Sequence, residues 1–387
     1  YLSKAHGMAT VIVTYGERNT MLMNTFSLLP RWEFTLAGYL YNDDNDLATD
    51  DGYSTSLYAK YMFSENKART GGIAVKFGTG LDPGYMDADY YFAGGAELAK
   101  GNGFTEPYLW NYLDDPQGLP HPSHTYWMPL ASILSALGMW ISGATTYAAG
   151  RLPFILLSAC VPLLTATLAF DISRNRLLAM VSGLLSVFSI YYAPFMPVPD
   201  NYALFMLLGG TFLLLAPRRQ KWIPLALGVL SGLMTLARSD GLLWLGLAGL
   251  TVMWKSTKND NGTVYPFKKW LALIVLGGLL ALLGYSLVMG GWHVRNYNLF
   301  GSFMAPGGGH LLWLETYNQT FSYPASSITR EGFMQAGWSA ALDDRLTALS
   351  FNAGTLFGAQ GGIFLFPFIL VGLWSLRKDL RTRIAVT

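Results

Sequence analysis

The sequence predicts an α-helical multi-pass membrane protein with about seven spans, preceded by a short β-hairpin segment. Three observations predict it. Apolar residues make up 52% of the 387 and charged residues only 13%, where an ordinary soluble domain carries about 25% charged residues. From Tyr147 onward the chain strings together uncharged apolar runs of the length a bilayer requires. The turns between those runs alternate between rich and poor in Lys and Arg.

A hydrocarbon core of about 30 Å takes about 20 helical residues, fewer where interfacial residues snorkel. The predicted spans are Tyr147–Phe170, Leu177–Pro194, Pro199–Ala216, Trp222–Ala237, Gly241–Trp254, Lys269–Gly290 and Gly362–Leu376. Trp222–Ala237 and Gly241–Trp254 are short, and a single helix interrupted by Arg238-Ser239-Asp240 is the alternative there.

The charge pattern orients the set. Arg174 and Arg176 fill one turn, and Pro197-Val198-Pro199-Asp200 has no basic residue. Arg218, Arg219 and Lys221 follow, then the lone Arg238, then Lys255, Lys258, Lys268 and Lys269. The long segment 291–361 holds only Arg295, Arg330 and Arg345, and the tail closes with Arg377, Lys378, Arg381 and Arg383. The positive-inside rule makes the basic turns cytoplasmic and places everything before Tyr147 outside. Residues 84–146 are then an outer loop with amphipathic helices, 147–290 hold six spans, 291–361 form an outer segment and 362–376 the last span. The apolar segment ending near Ser142-Gly143 is expected to lie along the outer interface.

A net charge of +2 gives no reason to expect nucleic acid. The single cysteine, Cys160, sits in an apolar run and reads as packing, so no disulfide framework is expected.

The outer loop is rich in polar and aromatic detail. Asp87-Ala88-Asp89-Tyr90-Tyr91 opens an amphipathic stretch that runs to Lys100 and stops at Gly101-Asn102-Gly103-Phe104. His121-Pro122-Ser123-His124-Thr125-Tyr126-Trp127 follows. Further on stand Ala237-Arg238-Ser239-Asp240-Gly241 and Gly291-Trp292-His293-Val294-Arg295-Asn296, continuing to Phe300-Gly301. In this order the segments resemble the polyprenyl-phosphate-sugar-dependent membrane glycosyltransferases of the C-type fold, which include the protein O-mannosyltransferases and the aminoarabinose transferases of lipid A. The resemblance covers roughly Pro83 to Leu376. It departs from the family at the acidic pair, where Ala88 separates the two aspartates.

The resemblance implies an inverting glycosyltransferase in the cytoplasmic membrane with its site on the outer side. The donor would be a polyprenyl-phosphate-linked sugar, and the acceptor a protein, lipid or polysaccharide. An attacking hydroxyl needs a carboxylate to take its proton; the resemblance makes Asp87, at the position of the family's outer-loop acid before the aromatic pair, the first candidate and Asp89 the alternative. The alternative for either is to cap the helix through its N-terminal amides. The leaving phosphate calls for fixed cations, and Arg295 and Arg238 are the candidates because the guanidinium fork suits phosphate oxygens. Anchoring of ordinary membrane lipid is their alternative role. His121, His124, Tyr126, Asp200 and His293 are the substrate-binding candidates. No cofactor is assigned. A divalent metal is an option at His121 and His124, beside Asp114 and Asp115, although loop histidines more often only hydrogen-bond. Ala305-Pro306-Gly307-Gly308-Gly309-His310 reads as a lid. The competing function class is a transporter or flippase, which would carry its charged and helix-breaking residues at mid-membrane rather than in outer loops.

Residues 1–83 follow another rule. Arg31 to Tyr41, Tyr53 to Phe63 and Gly71 to Gly78 alternate aromatic with small or polar residues, separated by turn-rich breaks such as Asn42-Asp43-Asp44-Asn45-Asp46. That is the signature of β-hairpins. The expectation is a segment foreign to the family, joined at Leu81-Asp82-Pro83-Gly84 by fusion or sequence-assembly error, with both ends of the transferase incomplete; a non-catalytic interaction or assembly protein is the third reading, favoured only if that loss abolishes activity.

Overall fold

The computed structural model describes residues 7–13, 19–29, 32–41, 52–65, 72–80, 86–187, 192–257, 263–335, 337–359 and 365–386. The seam Leu81–Gly84, the turn Asn42–Asp46 and parts of two predicted spans, 188–191 and 362–364, lie outside them. The chain divides into two units, Tyr1–Tyr85 and Met86–Thr387.

The first unit is an antiparallel meander: β1 (Gly7–Val13), β2 (Asn19–Leu29), β3 (Trp32–Tyr41), β4 (Gly52–Glu65) and β5 (Gly72–Gly80), each paired with the next in sequence. Alternation of side chains and short turns dictates such pairing. The register shifts between Phe26 and Leu29 and again between Met62 and Ser64.

The second unit is helical, with thirteen α-helices among the described residues. α1 (Met86–Ala99) carries Asp87 and Asp89 in its first turn, where carboxylates suit the helix dipole. It ends at Gly101, whose φ of 86° is left-handed backbone that glycine adopts without strain. A two-strand bridge follows, β6 (Thr105–Glu106) on β7 (His121–Pro122). α2 (Leu130–Ser142) buries Ala131, Ser132, Ser135 and Met139 against α1, α3 and α6 and exposes Trp140 and Ile141.

The predicted spans correspond in order to α3 (Tyr147–Ser173), α4 (Arg176–Val187), α5 (Tyr202–Leu215), α6 (Ile223–Ala237), α7 (Leu242–Ser256), α8 (Phe267–Phe300) and, beyond three further helices and three 3-10 turns, α12 (Phe366–Ser375). Two of them, α3 with 27 residues and α8 with 34, are long and apolar enough to cross a membrane. The others are shorter apolar helices of 10 to 15 residues. A 3-10 turn at Ser239–Gly241 separates α6 from α7, so the single interrupted helix does not form.

One expected boundary is corrected. α8 runs ten residues past Gly290 through the Trp292–Asn296 motif, so Arg295 lies inside the helix that was expected to end before it. The helix continues through Gly290-Gly291, and a capping Gly301 ends it at φ 67°. Within the segment expected to be an outer loop lie α9 (Gly307–His310), α10 (Arg330–Phe333) and the 23-residue α11 (Gly337–Ala359). The glycines read as a lid are helical in part, and Gly307 donates its backbone N–H to the Thr125 carbonyl.

Small residues let the helices approach. Gly228 and Gly232 on α6 face α8, and a Cβ at Gly228 would run into the Ala281 backbone. Gly284 on α8 faces the Leu225 carbonyl in return. This small-xxx-small spacing is the usual solution where backbones pack closely. At one end of the bundle Arg218 reaches Asp171 at 2.8 Å, Lys255 reaches the Arg218 carbonyl, and α13 (Leu380–Val386) docks through Arg381 on Asp171 and Ile384 in the core.

Candidate functional site

The first turns of α1 sort the two aspartates by helical geometry. Asp87, Tyr90 and Tyr91 stand at i, i+3 and i+4 and share one face. Ala88, Tyr90 and Tyr91 are buried and Asp87 half-buried, whereas Asp89 is exposed. Of the two candidate carboxylates, the bundle takes in Asp87.

Tyr91 ties this face to the head of α5. Asn201 Nδ2 donates to the Tyr91 hydroxyl over 2.7 Å, and Asp200, 5% exposed, sits beside it with Oδ1 accepting from the Asn201 N–H. Arg238 enters from the α6–α7 turn, ion-paired to Asp240 at 3.1 Å and lying over the Phe205 ring. Its charge acts on both carboxyls. Burial pushes Asp200 up to about 6, opposed by the Asn201 N–H and by Arg238. Burial likewise raises Asp87, and Arg238 is the group that opposes it. Desolvation, only partly offset by the facing cation, therefore sets both carboxyls closer to neutrality than usual. Tyr126 belongs to the same neighbourhood: its phenol acts on Tyr91, and its ring meets Trp127 edge-on at 4.5 Å.

Behind it runs a buried network that joins His124 to Glu106, a residue outside the sequence candidates. Glu106 Oε1 accepts from the Tyr90 hydroxyl at 2.5 Å and from the His124 N–H at 3.2 Å. The His124 ring is held between Ser123 Oγ at 2.7 Å and Ser132 Oγ at 2.9 Å. Complete burial, with Arg295 nearby, lowers His124 to about 3, so its ring is neutral at physiological pH. Gly94 makes room for it: a Cβ there would come within 2.9 Å of Ser132 Oγ and 3.0 Å of the imidazole. The available signal for Glu106 was a lone acid among Phe104, Tyr108 and Trp110, a setting that predicts a buried, hydrogen-bonded carboxyl.

His121 faces a different way from His124. Asp114 lies 3.6 Å from its Nδ1 and Glu106 3.4 Å from its Nε2, and these carboxylates raise its pKa against the effect of burial. The two histidines do not converge, and among the described residues no three His, Cys, Asp or Glu side chains gather as a metal site.

Arg295 is committed to structure. Nη2 donates to the Ser123 carbonyl at 2.8 Å and the Phe104 carbonyl at 3.3 Å, Nη1 to Asn296, and the guanidinium stacks on Trp292 at 4.3 Å. It fastens α8 to the outer loop. His293 Nδ1 meets the Phe303 carbonyl at 2.9 Å, and its Nε2 lies 3.4 Å from the Tyr285 hydroxyl. Asp87, Asp200, Arg238 and Tyr126 thus come together, His124 and Arg295 form a supporting layer, and Asp89 stands outside the cluster.

No family model, no curated protein and no solved structure matches the chain.

Proposed function

We propose that this chain is the membrane part of an inverting glycosyltransferase, moving a sugar from a polyprenyl-phosphate donor to an acceptor on the outer face of the cytoplasmic membrane. The observation that supports it most is two half- to fully buried carboxyls, Asp87 and Asp200, under the influence of one cation, Arg238. In this reading the acceptor oxygen attacks the anomeric carbon as the bond from that carbon to the phosphate oxygen breaks. Asp87 takes the acceptor's proton, a task favoured by a pKa raised toward the working pH. Arg238 meets the charge that develops on the leaving phosphate. Asp200 and Tyr126 hold the sugar, with Tyr91 and Asn201 fixing α1 against α5. Arg295 supports the loop rather than the phosphate, because its guanidinium already serves two backbone carbonyls.

The contacts agree with the grouping of turns by side, while the sidedness itself rests on the positive-inside rule. The turns assigned to the inner side meet one another, Arg218 and Arg381 on Asp171 and Lys255 on the Arg218 carbonyl. Arg238, assigned to the outer side, acts on Asp200 of another outer turn. The seven apolar helices then form the membrane bundle, with α2 at its outer interface.

The test is transfer of radiolabelled sugar from polyprenyl-phosphate donors in membranes holding the chain. Labelled product that requires Asp87 and Arg238 supports the reading. Movement of the lipid-linked sugar across the membrane without any transfer overturns it in favour of a transporter.

A further inference from the structure

The opposite end of the bundle carries a charge cluster that glycosyl transfer does not use. Asp171, on the last turn of α3 and 8% exposed at its side chain, accepts from Arg218 Nη2 at 2.8 Å and from Arg381 Nη2, with Arg174 Nη2 at 3.4 Å. The Lys255 ammonium donates to the Arg218 backbone carbonyl. One carboxylate therefore faces three guanidinium groups and a nearby ammonium. The other acid close by, Asp379, uses Oδ1 to accept the Arg381 backbone N–H at 2.8 Å.

Arg381 is the informative member. Its residue is 8% exposed, yet Nε and Nη1 are out of solvent and have no acceptor among the described residues. A buried charged donor without an acceptor costs more than a hydrogen bond returns, so sequences keep such a group where something else accepts from it. We infer that the Arg174, Arg218 and Arg381 cluster binds a phosphate group. A phosphate offers several charged oxygens around one centre, which several guanidinium forks engage at once. Two sources carry that chemistry here. One is the head group of an anionic phospholipid, for which exposed Phe170, Leu177 and Leu178 beside the cluster supply an apolar flank. The other is a free phosphate-bearing solute.

The experiment uses the full chain in two arms. In the first, protein reconstituted into nanodiscs of phosphatidylcholine with phosphatidylglycerol is extracted, and retained lipid is weighed by native mass spectrometry. In the second, inorganic phosphate is titrated into delipidated protein in neutral detergent, and the shift in melting temperature is followed. Selective retention of phosphatidylglycerol assigns the site to a lipid head group, and stabilisation by inorganic phosphate alone assigns it to a solute. In either case Arg381→Gln and Arg218→Gln should each weaken binding about tenfold, as loss of one charge-assisted contact predicts. Arg218 is 43% exposed at its side chain, so its variant keeps the fold even if that of Arg381 does not. Absence of both responses in the unaltered chain overturns the inference. So does binding that Arg218→Gln leaves unchanged.

Discussion

Asn201 donates to the Tyr91 hydroxyl across 2.7 Å, joining residues 110 apart in sequence and fixing α1 to the head of α5. Tyr91→Phe removes the acceptor and leaves a buried amide group without its partner. The expected loss is about 1–3 kcal/mol of stability, together with lower transfer activity because Asp87 and Asp200 are no longer held to one another's elements. Thermal unfolding in detergent and the transfer assay measure the two effects separately.

Asp200 has a folded pKa of about 6 against an ordinary value of 3.8. The folded state therefore holds a proton that the unfolded chain has already lost between those values, and stability falls as pH rises through that window. Asp200→Asn should be more stable than the unaltered chain at pH 8, by up to about 3 kcal/mol. The advantage should disappear below about pH 4. Melting temperatures of both proteins across pH check it, and an advantage that persists at low pH contradicts the assignment.

His124 behaves in the opposite sense. Its folded pKa of about 3 lies below its ordinary 6.5, so the unfolded chain takes up a proton first. The stability that neutral His124 contributes is full above about 6.5 and drains away as pH falls toward 3. A pH series on His124→Asn should lack that acid-side decline and start from a lower plateau, because the two serine contacts are broken.

Gly228 is a sharp packing test. Gly228→Ala drives a Cβ into the Ala281 backbone, and overpacking of this kind costs about 1–3 kcal/mol. Gly278→Ala on the same α8, where a Cβ would meet nothing within 4 Å, should leave the melting temperature unchanged or slightly higher. Equal effects would deny that α6 and α8 pack as described.

These tests also mark what was legible in the sequence. Apolar runs and punctuation placed α3, α5, α6, α7 and the start of α8 within a few residues, because the helix signal is local. The end of α8 was misplaced because the apolar run stops at Gly290, while the packing of Trp292 and Asn296 that carries the helix onward is tertiary. α11 was missed because Asp343-Asp344-Arg345 interrupts its apolar side. Asp87 stood ahead of Asp89 by its place before Tyr90-Tyr91, but that the helix half-buries Asp87 and exposes Asp89 is set by packing and not by local pattern. The role of Arg295 was hidden for a different reason: its acceptors, Ser123 and Phe104, are backbone carbonyls 172 and 191 residues away, and no side-chain pattern records them.

The most direct measurement is transfer of labelled sugar from polyprenyl-phosphate donors by Asp87→Asn and Asp89→Asn side by side, in membranes with equal amounts of folded protein. The account predicts that Asp87→Asn loses at least about a hundredfold in rate, the contribution of a positioned general base, while exposed Asp89→Asn stays within about twofold. Equal activity in the two variants, or the large loss at Asp89 instead, would contradict it.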